Sequence, residues 1–73
     1  MVLKNNLEYI LKERGLKKGW LAKKAGISAA AISNVINCRH NVSLMVALNI
    51  SKALDIKVED IFYLEEGDNF EST

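Results

Sequence analysis

An all-α fold of five short helices, the second and third joined as a helix-turn-helix, follows from three features of this 73-residue chain. The first is a register between Lys18 and Asn37: Ala22, then Gly26 four residues on, set among Leu21, Ile27, Ile32 and Val35. Two helices meeting at a steep angle need a residue at the corner that accepts positive φ, which glycine does most easily. A small side chain one turn earlier lets the second helix approach closely. The second feature is composition: 49% hydrophobic residues, no proline and four glycines fit compact helices joined by short turns. The third is apolar periodicity near 3.6 residues, punctuated by glycine and by capping serines.

Leu3, Leu7, Ile10 and Leu11 predict helix 1 over about residues 2 to 14, stopped by Gly15. Helix 2, about 18 to 25, offers Leu21, Ala22 and Ala25 to a core, with Trp20 off the centre of the stripe and expected to pack across helix 1. Ser28 is placed to cap helix 3 by accepting from the backbone N–H of Ala30 or Ala31, and the helix runs to Ile36 or Asn37. Ile32 and Val35, three apart on one face, point back into the angle between helices 2 and 3. After a polar turn from Asn37 to Val42, Ser43 caps helix 4, whose apolar face is expected to hold Leu44, Ala47, Leu48 and Ala53/Leu54. Val58, Ile61 and Phe62 mark helix 5, with Glu59 and Asp60 in the first turn, where the helix dipole favours negative charge. Residues 1–66 read as one domain, and 67–73 as a flexible acidic tail.

The net charge of +1 conceals a segregation. Between Glu13 and Asp55 stand Arg14, Lys17, Lys18, Lys23, Lys24, Arg39 and Lys52 with no acid among them; from Asp55 onward seven acids face only Lys57. A basic middle that coincides with the helix-turn-helix is the electrostatic footprint of a polyanion-binding surface. Other classes fare poorly. One His, one Cys, no metal-ligand cluster and no glycine-rich phosphate loop leave little for an enzyme, and no cofactor is implied. A single cysteine, Cys38, makes no internal disulfide, so the fold rests on packing. Apolar stretches such as Leu44 to Leu48 fall far short of the ~20 residues of a membrane span, and no signal-peptide pattern opens the chain, so a cytoplasmic location is expected.

The segments LKERGLKKGWLAKKAGIS, AISNVIN and SLMVALNISKALDIKVEDIF resemble the lambda-repressor-like, Cro-type helix-turn-helix regulators, the XRE family, over about residues 3 to 64. The resemblance implies a five-helix domain that binds double-stranded DNA, commonly as a homodimer on a palindromic operator, with helix 3 in the major groove. Ser28, Ala29 and Ala30, with Ser33 and Asn34 one turn on, then face base edges. Asn34 is the strongest reader of the set, since an asparagine bonds adenine N6 and N7 bidentately, and the alanine methyls suit thymine methyls. The family often carries long polar side chains where Ala29 and Ala30 stand.

Phosphate contacts are implied at Lys18, in a position where the family commonly carries glutamine, and at Asn37, Arg39 and Asn41 after helix 3. The N-terminus of helix 2 adds backbone N–H groups. Lys23 and Lys24 supply long-range attraction, and His40 reads as an exposed turn residue. Cys38 and Asp55 stand where glycines are frequent and Val42 where proline is; Asp tolerates the left-handed region better than most residues.

A lone domain reads too few base pairs to find a site in a genome, so a dimer is expected, with recognition helices about 34 Å apart. Its interface is placed at Phe62, Tyr63 and Leu64, beyond Ile61 and with Phe70 as a further apolar residue. The function expected is a transcriptional repressor with no small-molecule effector, since there is no second domain to hold one. The competing readings are a protein-interaction module, or an antitoxin component, built on the same frame.

Overall fold

The computed structural model describes residues 2–37 and 42–65. The order is β1 (Val2–Asn5), α1 (Leu7–Arg14), α2 (Lys18–Ala25), α3 (Ala29–Ile36), α4 (Leu44–Leu54), α5 (Val58–Ile61) and β2 (Phe62–Glu65). Five helices stand as expected in number and order. The all-α expectation is corrected by a two-stranded antiparallel ribbon in which Val2 faces Glu65, Leu3 faces Leu64, Lys4 faces Tyr63 and Asn5 faces Phe62.

Helix 1 therefore starts at Leu7 and not near residue 2. Asn5 ends the strand physically: its Oδ1 accepts from the Leu7 N–H (3.0 Å) and its Nδ2 donates to the Val35 carbonyl at the end of α3 (2.8 Å). An asparagine that bonds the backbone two residues on replaces a helical turn with a tight bend. Helix 5 is likewise short, because Phe62 is already extended at φ −111 and ψ 141. The Asn6 N–H donates to the Ile61 carbonyl at 2.8 Å and closes the two chain ends on each other.

α1, α2 and α4 end in one shared device. Gly15, Gly26 and Asp55 take left-handed conformations at φ 68, 74 and 58. The N–H groups of the following residues, Leu16, Ile27 and Ile56, reach back to the carbonyls of Leu11, Ala22 and Ser51 at 2.8, 2.9 and 3.1 Å. This is the Schellman closure, and all three following side chains pack against the core. Only Asp55 closes it without glycine. Its carboxylate also sits at a helix C-terminus, where the dipole disfavours negative charge. Asp55→Gly is expected to stabilise the domain by about 0.5–1 kcal/mol, raising Tm by roughly 2–8 °C in a thermal melt.

The core gathers Leu7, Leu11, Leu21, Ile32, Ile50, Leu54 and Ile61, with Ala22, Ala25, Val35, Ala47 and Phe62 around them. Arg14 ties α1 to the end of α4 by donating from Nη1 to the Leu54 carbonyl (2.7 Å), and the Ser51 hydroxyl bonds the Ile56 carbonyl. One expectation about a face is corrected: α4 turns Ala47, Ile50 and Leu54 inward, while Leu44 and Leu48 are 71% and 51% exposed. Trp20 is 41% exposed and lines a surface hollow with Lys23 and Lys24. The acidic tail expected at 67–73 and Phe70 lie outside the described residues.

Candidate nucleic-acid interface

α3 is built to show one face and bury the other. Ser28 begins it in extended conformation, and its Oγ accepts from the Ala31 N–H at 3.0 Å, the capping bond its position predicts. Ile32 and Val35 go into the angle with α2, against the core that includes Leu21, Ala22 and Ala25. Ser28, Ala29, Ala30 and Asn34 are exposed and Ser33 is half-buried. Residues 29, 30, 33, 34 and 37 fall on one side of a 3.6-residue helix. The structure thus brings Ala29, Ala30, Ser33 and Asn34 onto one side of the helix, while Ser28 precedes it as the cap, its hydroxyl oxygen engaged by the Ala31 N–H.

Lys18 is the first residue of α2 and is exposed, and Asn37 is exposed at the C-terminus of α3. α2 begins after Lys17, an N-cap residue in extended conformation whose side chain makes no capping bond. Its first-turn N–H groups therefore have no side-chain acceptor from the cap, the condition under which a helix N-terminus attracts a phosphate. Arg39 and Asn41, along with Cys38 and His40, lie outside the described residues.

The basic middle of the chain is not all on this surface. The Arg14 guanidinium is taken by the Leu54 carbonyl, and Lys52 lies in the last turn of α4. Lys17, Lys18, Lys23 and Lys24 are exposed on α2 or at its start. Among the described residues none of these charges is paired with an acid; the ion pair there is Lys4–Glu65, on the ribbon, at 4.0 Å.

Of the three residues expected at a partner interface, Phe62 is 8% exposed and belongs to the core, whereas Tyr63 and Leu64 are on the surface. Leu44, Met45 and Leu48 form an exposed apolar group that the sequence reading assigned elsewhere or passed over. The available signal was the absence of any charged residue from Val42 to Ser51. Among the described residues no helix is long and apolar enough to cross a membrane, and no group of three metal-ligating side chains occurs.

Comparison with known proteins agrees with this geometry. Residues 6–67 match the Cro/C1-type HTH DNA-binding domain. The chain is similar to an uncharacterized HTH-type transcriptional regulator of Methanocaldococcus jannaschii, 35% identical over 66 residues that span 90% of this chain and 100% of that one. A second such regulator, from Bacillus subtilis, is 30% identical over 64 residues, covering 88% and 97% of the two chains. Among solved structures, the restriction-modification controller protein C.AhdI of Aeromonas hydrophila superposes with a TM-score of 0.70 at 30% identity, over 74% of this chain and 82% of that one. A Bacteroides fragilis protein shares the fold at a TM-score of 0.73 and 21% identity, over 85% and 100%. With the helix-turn-helix in register and the family match running through nearly all of the described residues, this chain belongs to the Cro/C1-type helix-turn-helix DNA-binding family, whose members it resembles are transcriptional regulators.

Proposed function

We propose that the protein is a sequence-specific repressor that binds a palindromic operator as a homodimer, with α3 of each subunit in the major groove. The observation that carries this reading is the accessible face of α3, Ala29, Ala30, Ser33 and Asn34, flanked by the uncapped N-terminus of α2 with Lys18. In the docked complex Asn34 reads an adenine edge, Ser28 and Ser33 bond neighbouring bases, and the methyls of Ala29 and Ala30 meet thymine methyls. Lys18, Asn37, Arg39 and Asn41 hold phosphates and set the register. The partner is double-stranded DNA and a second copy of the chain; no cofactor, metal or small effector enters.

The test is selection from a randomised duplex pool at two salt concentrations, followed by sequencing of what stays bound. A two-fold-symmetric motif with half-sites about one turn apart is the expected result. Salt-sensitive retention without a motif would overturn sequence-specific readout, and no retention at either salt would overturn DNA binding itself. On the selected duplex, Asn34→Ala is expected to weaken binding by about 5- to 150-fold per half-site and to relax preference at one A·T pair in each, the discrimination of one bidentate contact per subunit.

A further inference from the structure

We infer that Asn5, the last residue of β1, is a positioning residue for base readout: its bond to the Val35 carbonyl sets the tilt of α3 and so aims Asn34. The inference rests on the DNA-binding reading above and adds a determinant of specificity that touches no base. The bond joins residues 30 apart at 2.8 Å, and its acceptor lies in the last turn of α3. The last carbonyls of a helix have no N–H four residues on to bond, so a donor from another element fixes that end.

The surroundings leave the Asn5 amide one way to sit. Its backbone is held in β1 opposite Phe62, which is buried, and the next N–H, of Asn6, donates to the Ile61 carbonyl. Its Oδ1 takes the Leu7 N–H at 3.0 Å, so Nδ2 is turned the other way, toward α3. A side-chain amide has one accepting and one donating end, and here each meets its complement. Aspartate in its place would lack the donor, and serine would lack the reach.

α3 needs such a tie. Among the helices it packs chiefly on α2, and its start is fixed by the Ile27 N–H on the Ala22 carbonyl and by the Ser28 cap. Its eight residues, at about 1.5 Å each, make it about 12 Å long, so a shift of about 1 Å at the Val35 end tilts it by about 5°. Asn34 precedes Val35 directly and moves by nearly as much. A bidentate contact with adenine tolerates little of this, because hydrogen bonds weaken outside about 2.7–3.2 Å. Lys18 stands on α2 and stays where it is. The tie therefore acts on base preference and leaves phosphate attraction in place.

The experiment compares wild type with Asn5→Ser and Asn5→Asp. Serine keeps an oxygen for the Leu7 N–H but stops short of Val35; aspartate keeps the length and sets an acceptor against the carbonyl. Below the melting transition of each protein, affinity is measured for the selected duplex and for one in which the A·T pair read by Asn34 is replaced in both half-sites. The ratio of the two is the readout, and a uniform effect of the aspartate charge cancels in it. Both variants are expected to lower this ratio by at least about fivefold, and to lower it no further in an Asn34→Ala background, because the tie acts through Asn34. An unchanged ratio, or a loss that persists without Asn34, would overturn the inference. Residual dipolar couplings of the backbone N–H groups read the free protein: the α3 vectors should turn by about 5° or more relative to α2 while those of α1 hold. If wild type binds no duplex, the DNA-binding reading fails, and couplings that show α3 unmoved would overturn the positioning role separately.

Discussion

A duplex-binding constant that falls roughly 250- to 1,000-fold as monovalent salt rises from about 50 to about 200 mM is the expected result for this protein. Each phosphate neutralised by a lysine or arginine releases counterions, which steepens the dependence of log K on log salt by about 0.9. Four to six such contacts per dimer, on the order suggested by Lys18, Arg39 and their neighbours in both subunits, give a slope near −4 to −5. Arg14 is not counted among them: it lies at the end of α1, where its Nη1 donates to the Leu54 carbonyl. Lys18 does: it is exposed at the start of α2, where the backbone N–H groups and the helix dipole already favour an anion. Lys18→Glu should therefore flatten the slope by about 2 per dimer, one contact in each subunit, and weaken all sequences alike. Asn34→Ala should leave the slope in place while changing which sequences bind. Salt titrations of the three proteins on one duplex separate these effects, and a wild-type slope near zero would remove the electrostatic basis of binding.

What could be read from the sequence and what could not divides by the range of the interaction that decides it. The helix-turn-helix was legible because each of its parts acts within a few residues: Gly26 closes α2 on Ala22 and Lys23, Ser28 caps α3 at Ala31, and Ile32 and Val35 share a face. Ser43 capping α4 at Val46 and Gly15 closing α1 belong to the same class. The ribbon was not legible, because the extended conformation of Val2–Asn5 is decided by its pairing with Phe62–Glu65 at the other end of the chain. Leu3 continues the spacing of Leu7 and Leu11 and so fits a helix equally well; nothing local contradicts it until Asn5 binds the Leu7 N–H. The inner side of α4 was misread for a different reason. Leu44, Met45, Val46, Ala47, Leu48 and Ile50 make its first two turns apolar nearly all round, and a helical wheel without a polar half does not say which stripe is buried. The fold resolves the ambiguity by leaving Leu44, Met45 and Leu48 outside and turning Ala47, Ile50 and Leu54 inward.

Replacing Ile32 by alanine should abolish duplex binding at 37 °C without touching a single DNA-facing group. Ile32 is fully buried, one helical face away from Asn34, and it holds α3 in its angle against α2. Large-to-small changes at such sites cost about 2–5 kcal/mol, from lost burial and from the cavity left behind. A domain of this size has only about 4–11 kcal/mol to lose, so the variant sits close to its unfolding transition. At about 4–8 °C per kcal/mol, Tm should drop by roughly 8–40 °C. Cooling then discriminates between two explanations of lost function. If Ile32 acts only through the fold, a binding titration well below the new Tm should restore affinity to within a few-fold of wild type, with the same base preferences. If α3 depends on Ile32 for its angle as well, the cold, folded variant should still bind but with weakened preference in both half-sites, because a tilted helix moves Asn34 off the adenine edge before it moves Lys18 off a phosphate. An unchanged melt would mean that α3 is not docked through Ile32 at all, and would take with it the assignment of the opposite face to DNA.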